Sequence, residues 1–370
     1  MKIENYLVTL KEQEGSDLFI SPNAKPSIKA RGEIMPIAED IISPEESADI
    51  VLGAMNARQR AEFEETRECN YALAIDDVGR FRISAFWQRG MPGLVARRIE
   101  TDIPEMEDLK LPSVLKDVIM SKRGLVIMVG ATGTGKSTSL AAMIGHRNRH
   151  SKGHILTVED PIEFVHEHRK SIVNQREVGV DTESFEAGLK SALRQAPDVV
   201  LLGEIRSRAT MEYALTFAET GHLCVATLHA NNANQALERI MHLVPKEKHQ
   251  QLLFDLSLNL RGIVAQQLVP TKNGKGRRAV IEVLLNSARV SDIIAKGELH
   301  SLKETMAKSN ELGMKTFDQA LFDLYQEQQI SYADALHHAD SPNDLRLMIK
   351  LKGGQDLGAG LLSDVTLDLD

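Results

Sequence analysis

Residues Gly130-Ala131-Thr132-Gly133-Thr134-Gly135-Lys136-Ser137 match the pattern G-x-x-x-x-G-K-[ST], and their flanks decide the fold. The apolar run Gly124-Leu125-Val126-Ile127-Met128-Val129 before them reads as a buried parallel strand. The stretch from Lys136 to Ile144, which includes Thr138, reads as a helix. A glycine turn between such a strand and helix aims backbone N–H groups, and the positive end of the helix, at phosphate oxygens. In that frame Lys136 reaches the β- and γ-phosphates, and the Ser137 hydroxyl joins a magnesium shell. The stretch predicts that the chain binds a nucleoside triphosphate.

Strands and helices alternate on the C-terminal side of this loop. Leu125–Val129, His154–Val158, Asp198–Gly203 and Leu223–Thr227 each read as a strand followed by a loop or helix, the rhythm of an α/β fold with a parallel sheet and helices on both faces. From about Val269 a strand pair is expected near Arg278–Leu285. Amphipathic helices are expected near Val290–Ala295, Thr316–Gln326 and Asn343–Lys350. On the N-terminal side, residues 1–100 read as a small α+β domain. Strands are expected at Asp17–Ile20 and Pro26–Arg31, and a hairpin joins Tyr71–Ile75 to Gly79–Trp87. Ser43-Pro44-Glu45-Glu46 spells a capped helix start. Residues 101–112, with Pro104 and Pro112, form the expected linker. Residues 113–270 then make the nucleotide-binding core and 271–352 the strand pair with its helices. Residues 353–370 carry Asp356, Asp364, Asp368 and Asp370 without a basic residue, and are expected to be a disordered acidic tail.

Hydrolysis of a triphosphate needs a metal, a group that positions water, and positive charge against the transition state. Val158-Glu159-Asp160-Pro161-Ile162-Glu163 sets three acids just past the end of a buried strand, where ligands sit in this architecture. Val199-Val200-Leu201-Leu202-Gly203-Glu204 is a second apolar strand ending in an acid, but Gly203 stands where an Asp is common. Direct metal coordination from that strand is therefore not expected. Ser137, water, Glu159 and Asp160 are left to fill the magnesium shell, while Glu204 orients or activates water. His222 and His229 bracket a further core strand. They either report the γ-phosphate state to neighbouring elements or, for His229, hold water near Glu204.

The bulk numbers narrow the classes. Over 370 residues the net charge is −8, which disfavours a motor that tracks nucleic acid. The two cysteines, Cys69 and Cys224, form no C-x-x-C pair, so no structural zinc is expected and a cytoplasmic protein is the default. The first residues lack the apolar core of a signal peptide, and no apolar run approaches about 18 residues. Membrane association is expected only through a partner.

In this order, the phosphate loop, Val158–Glu163, Gly203-Glu204 and Gly221-His222 to His229 resemble the secretion ATPase superfamily, whose Asp box, Walker B and His box they match. The phrases Asn174–Gly179, Ser191–Arg194 and Thr227–His229 are typical of its PilT/PilU family of type IV pilus retraction motors. The resemblance covers about residues 1–350. It implies a PAS-like N-terminal domain, a RecA-like ATPase domain and a hexameric ring. ATP with Mg²⁺ is the implied nucleotide, bound by residues 130–138 and His222, with Glu204, Glu163, Glu159, Lys136 and His229 as catalytic groups. It further implies arginines of the smaller domain approaching the phosphates. The candidates are Arg82, Arg97 and Arg98, with Arg80 and Arg89 ranked behind, while Arg194 and Arg239 serve instead between subunits. Ser287 to Glu298 keeps helical spacing but loses the phrase Ala-Ile-Arg-Asn-Leu-Ile-Arg-Glu of the PilT branch, which looks like the PilU branch. The implied function is an accessory retraction ATPase working beside a main motor on an inner-membrane platform protein. The alternatives are a main retraction motor and a regulatory ATP-binding scaffold. Extruding relatives carry a larger N-terminal region and a four-cysteine insertion that this sequence lacks.

Overall fold

Apolar residues alternate with polar ones along Phe81, Ile83 and Ala85, so one face of this ribbon is buried and the other is not. That ribbon is β5 of a six-stranded antiparallel sheet. Its strands are β1 (Asp17–Ile20), β2 (Ser27–Ala30), β3 (Glu33–Pro36), β4 (Glu68–Ile75), β5 (Gly79–Gln88) and β6 (Met91–Ile99), in the order β3-β2-β1-β6-β5-β4. The computed structural model describes residues 2–30, 32–99 and 102–352; the expected acidic tail at 353–370 lies outside them. The strands and hairpin expected here are present. Helices Ile3–Glu12, Pro44–Gly53 and Ala57–Thr66 accompany the sheet, and Phe63, Leu18, Ile28, Ile83 and Leu94 share its core. Ser43 caps its helix as expected: its hydroxyl accepts the Glu46 N–H while the Glu46 carboxylate accepts the Ser43 N–H.

The second sheet has seven strands. They are β7 (Gly124–Val129), β8 (Gly153–Glu159), β9 (Ser171–Glu177), β10 (Val199–Leu202), β11 (Leu223–Leu228), β12 (Leu260–Pro270) and β13 (Arg277–Leu285). Every residue of β7 and of β10 is buried, as befits parallel strands covered on both faces. The chain divides into two units. One holds the residues up to Glu105 together with Ala141–Glu204, the other Met106–Leu140 and the residues from Ile205 onward. In the first unit β10, β8 and β9 run parallel side by side; in the second, β11, β7 and β12 are parallel and β13 closes against β12 antiparallel.

Two expectations change. The strand pair assigned to the region after Val269 begins at Leu260, because helix His249–Asn259 passes into β12 with no loop between them. Strand β9 was not expected at all: Asn174, Gln175 and Arg176 are polar, and Ile172 is an exposed apolar residue on it. Helices Ala288–Lys296, Phe317–Gln326 and Pro342–Lys352 occupy the three expected positions. Among the described residues no helix is long and apolar enough to cross a membrane.

Candidate nucleotide site

The loop after β7 owes its shape to glycine. Gly133 and Gly135 have φ of 78° and 81°, a region that side chains disfavour. A Cβ on Gly130 would lie 2.6 Å from the Gln266 carbonyl and from Thr134 Oγ1, so the loop can pass β12 only without one. Lys136 curls back over the turn and donates to the carbonyls of Gly130 and Ala131 at 2.7 and 2.8 Å. Ser137 and Thr138 follow in the first turn of helix Lys136–His150, half-buried. The turn and its lysine have the shape that the sequence reading asks of a phosphate cradle.

Its support was not foreseen. Gln266, 2% exposed in β12, donates to the Thr134 carbonyl at 2.7 Å and accepts from Ser139 Oγ at 2.8 Å. One amide thus fastens both the loop and the helix that follows it. A polar residue inside the run Ile263-Val264-Ala265-Gln266 was the available signal.

The two histidines part company. His229 follows the C-terminal end of β11 and lines a cleft of about 500 Å³ with Ala131, Thr132, Asn231, Gln235, Glu238, Arg239 and His242. His222 precedes the same strand, level with Gly124 at the start of β7. Its Nδ1 bonds Thr220 Oγ1 at 3.0 Å, and its ring packs edge-on against Phe217. A six-residue strand spans about 20 Å, so His222 is not beside the phosphate loop of its own chain, and its assignment to nucleotide binding is corrected. The strand's polarity separates two residues that sequence spacing had grouped.

The acids beyond β8 are in the first unit. Burial pushes the Glu159 carboxyl up to about 7, with the Glu163 and Glu177 charges adding to the rise. The Thr157 hydroxyl at 2.6 Å and the Gln175 amide at 3.3 Å oppose it. Glu159 therefore holds its proton near neutrality far more readily than an ordinary carboxyl. Glu163 and Asp160 are both exposed, and Asp160 is engaged. The loop they share is pinned by β9. Gln175 donates to the Phe164 carbonyl at 2.9 Å and accepts the His166 N–H at 2.8 Å, and Glu177 accepts the Ile162 N–H at 3.2 Å. Sequence reasoning missed both anchors because each sits about a dozen residues from its partner on an unforeseen strand.

Gly203 and Glu204 follow β10. A Cβ at Gly203 would come 3.1 Å from Glu159 Cα and 3.2 Å from the Val158 carbonyl, so a side chain there would have to push β8 aside by a few tenths of an ångström. Glu204 is half-buried and engaged.

The arginines divide by sheet face. Arg80 and Arg82 lie two apart on β5, and both lower the pKa of the buried Glu177, partly offsetting its rise from burial. Arg97 stands opposite Arg82 in register, but its Nε bonds the buried Asp17 at 2.8 Å, which ties β6 to β1. Arg98 stands opposite the buried Phe81 and so belongs to the other face. Arg80, Arg82 and Arg97 thus share one face of the sheet, with the Arg97 Nε taken up by Asp17, and Arg98 lies on the other. Among the described residues no group of three or more His, Cys, Asp or Glu side chains is arranged to hold a metal ion.

With this geometry in view, the relatives are informative. Residues 94–327 match the family model described as type II/IV secretion system protein. The chain is 60% identical over 369 residues to the type IV pilus ATPase PilU of Pseudomonas aeruginosa, covering 100% of this chain and 96% of that protein. The chain belongs to the PilT/PilU family of secretion ATPases. The type IV pilus retraction ATPase PilT of the same organism is 37% identical over 344 residues, covering 93% of this chain and all of the relative. A crystal structure of the pilus retraction motor PilT with bound ADP superposes with a TM-score of 0.88, at 35% identity over 94% of this chain and 100% of that one. The fold is that of a PilT/PilU ATPase: an α+β N-terminal part, a RecA-like nucleotide-binding part and C-terminal helices.

Proposed function

We propose that this chain hydrolyses ATP to drive or assist retraction of a type IV pilus, in the accessory role of the PilU branch. The observation that carries the reading is the intact cradle of Gly130 to Ser137, with Lys136 over it and Gln266 beneath, in a chain 60% identical to a pilus ATPase throughout its length. Lys136 and the loop amides hold the β- and γ-phosphates, Glu204 orients water, and Arg82 with Arg80 neutralises charge that builds on the transferred phosphoryl group. Glu159, Glu163 and His229 tune that site. Bound magnesium supplies charge neutralisation at the phosphate oxygens. Ser137, Glu159 and Asp160 are the residues that would hold it, a sparse set that suits an ion which keeps most of its waters.

The working form is a homohexamer, cytoplasmic and peripheral at the inner-membrane pilus base. It meets the main retraction ATPase and the platform protein there, and binds no nucleic acid. Residues 1–100, 113–270 and 271–352 act as its N-terminal, catalytic and C-terminal parts. ATP turnover of the purified protein, alone and with the main motor, tests the reading. Lys136→Ala abolishes nucleotide binding. Glu204→Gln keeps ADP affinity within about threefold while turnover drops at least about a hundredfold. Wild-type protein that binds Mg-ATP yet never hydrolyses it, with or without the partner, would sink this function.

A further inference from the structure

Helix Ala233–His242 buries Ala233, Ala236, Leu237 and Ile240 and turns Gln235, Arg239 and His242, at helical spacing, into the cleft beside Ala131 and Thr132. The cleft therefore opens directly from the phosphate loop. The Arg239 guanidinium is exposed and makes no hydrogen bond or ion pair among the described residues, although Glu238 lines the same wall. A guanidinium beside a phosphate cradle, with no partner among the described residues of its own protomer, is suited to bind an anion. The anion that chemistry supplies there is the phosphate released when water cleaves the terminal bond of ATP.

We propose that this cleft is the first holding site of inorganic phosphate on its way out, with Arg239 as its principal ligand; the proposal rests on the ATPase reading above. His242 and Gln235 add N–H donors. Glu238 repels the anion, which keeps the site weak enough for the product to leave. Release of phosphate through this cleft then precedes the release of ADP, which stays on the loop.

Opposite shifts from two neighbouring residues test the assignment. Inhibition of steady-state turnover by added inorganic phosphate should weaken about tenfold in Arg239→Gln, the loss of one charge-assisted contact. It should strengthen about threefold in Glu238→Gln, where a repelling charge is removed. Inhibition by ADP should stay within twofold in both. Melting curves matching wild type would show that both exposed substitutions fold. Phosphate inhibition unchanged in both variants overturns the proposal. So does a loss in Arg239→Gln that falls on the affinity for a non-hydrolysable ATP analogue, since Arg239 would then hold the attached γ-phosphate. If the wild-type protein turns over no ATP, the ATPase reading fails. Calorimetric titration of phosphate into the ADP complexes of wild type and Arg239→Gln then decides the cleft by itself, equal heats refuting it.

Discussion

At Gly203 a single missing methyl group decides how two strands end. Its position 3.1 Å from Glu159 Cα leaves no room for a side chain unless β8 yields. Gly203→Ala is expected to cost about 1–3 kcal/mol, as overpacking of a tight contact does. Calorimetric unfolding would check this, and an unchanged midpoint would show that the strands separate freely. The sequence already marked this residue as odd, since a glycine replaced the usual acid. It did not show the crowding, because Glu159 is more than forty positions away and only the register of β10 on β8 brings the two backbones together. The same limit hid the Arg97–Asp17 bond, a partnership eighty residues apart. Lys136 and the glycine spacing of the loop were legible because the pattern that carries them is local, whereas the Gln266 carbonyl that bars a Cβ at Gly130 is far along the chain.

Among elements, the buried strands were plain in the sequence and the polar ones were not. β7 announces itself as an unbroken apolar run, whereas β9 reads like a loop until its partner β8 is known. The polar residues inside apolar strands proved the most informative. Gln266→Leu leaves the Ser139 hydroxyl and the Thr134 carbonyl without their partner, at a cost of about 2–4 kcal/mol. ADP affinity should fall with it, and thermal melting with and without ADP would separate the two losses. Glu282 in β13 has a second such role: it accepts the Ala233 N–H at 2.8 Å and the Phe317 N–H at 3.4 Å, at the starts of two helices. Burial pushes its pKa up to about 7 from 4.5, with the Asp340 charge adding to the rise. The folded protein therefore binds a proton that the unfolded chain releases between those values, so stability falls as pH rises from about 4.5 through about 7. Denaturant titrations at pH 5 and 7 should show this, with a shallower difference in Glu282→Gln.

For the molecule as a whole, the order of motifs along the chain was enough to place it in its family, and the loss of the Arg-rich phrase at Ser287–Glu298 pointed to its branch. The helix there, Ala288–Lys296, forms regardless, capped by Ser287 and ended by Gly297 at φ 74°. The accessory role predicts that cells lacking this protein retain partial pilus retraction under low load, and that Lys136→Ala behaves like the deletion. Retraction force measured by optical trap would show it; full force in the substituted strain would refute a motor role.

Helix His249–Asn259 runs into β12 without a connector, and Gln266 lies seven residues beyond the junction. Such a splice leaves no loop to take up a displacement, only the register shift of β12 against β7 between Leu260 and Gly262. A tug on the helix is felt beneath the phosphate cradle before any loop can stretch, so strain imposed from outside and the grip on nucleotide share one taut cord.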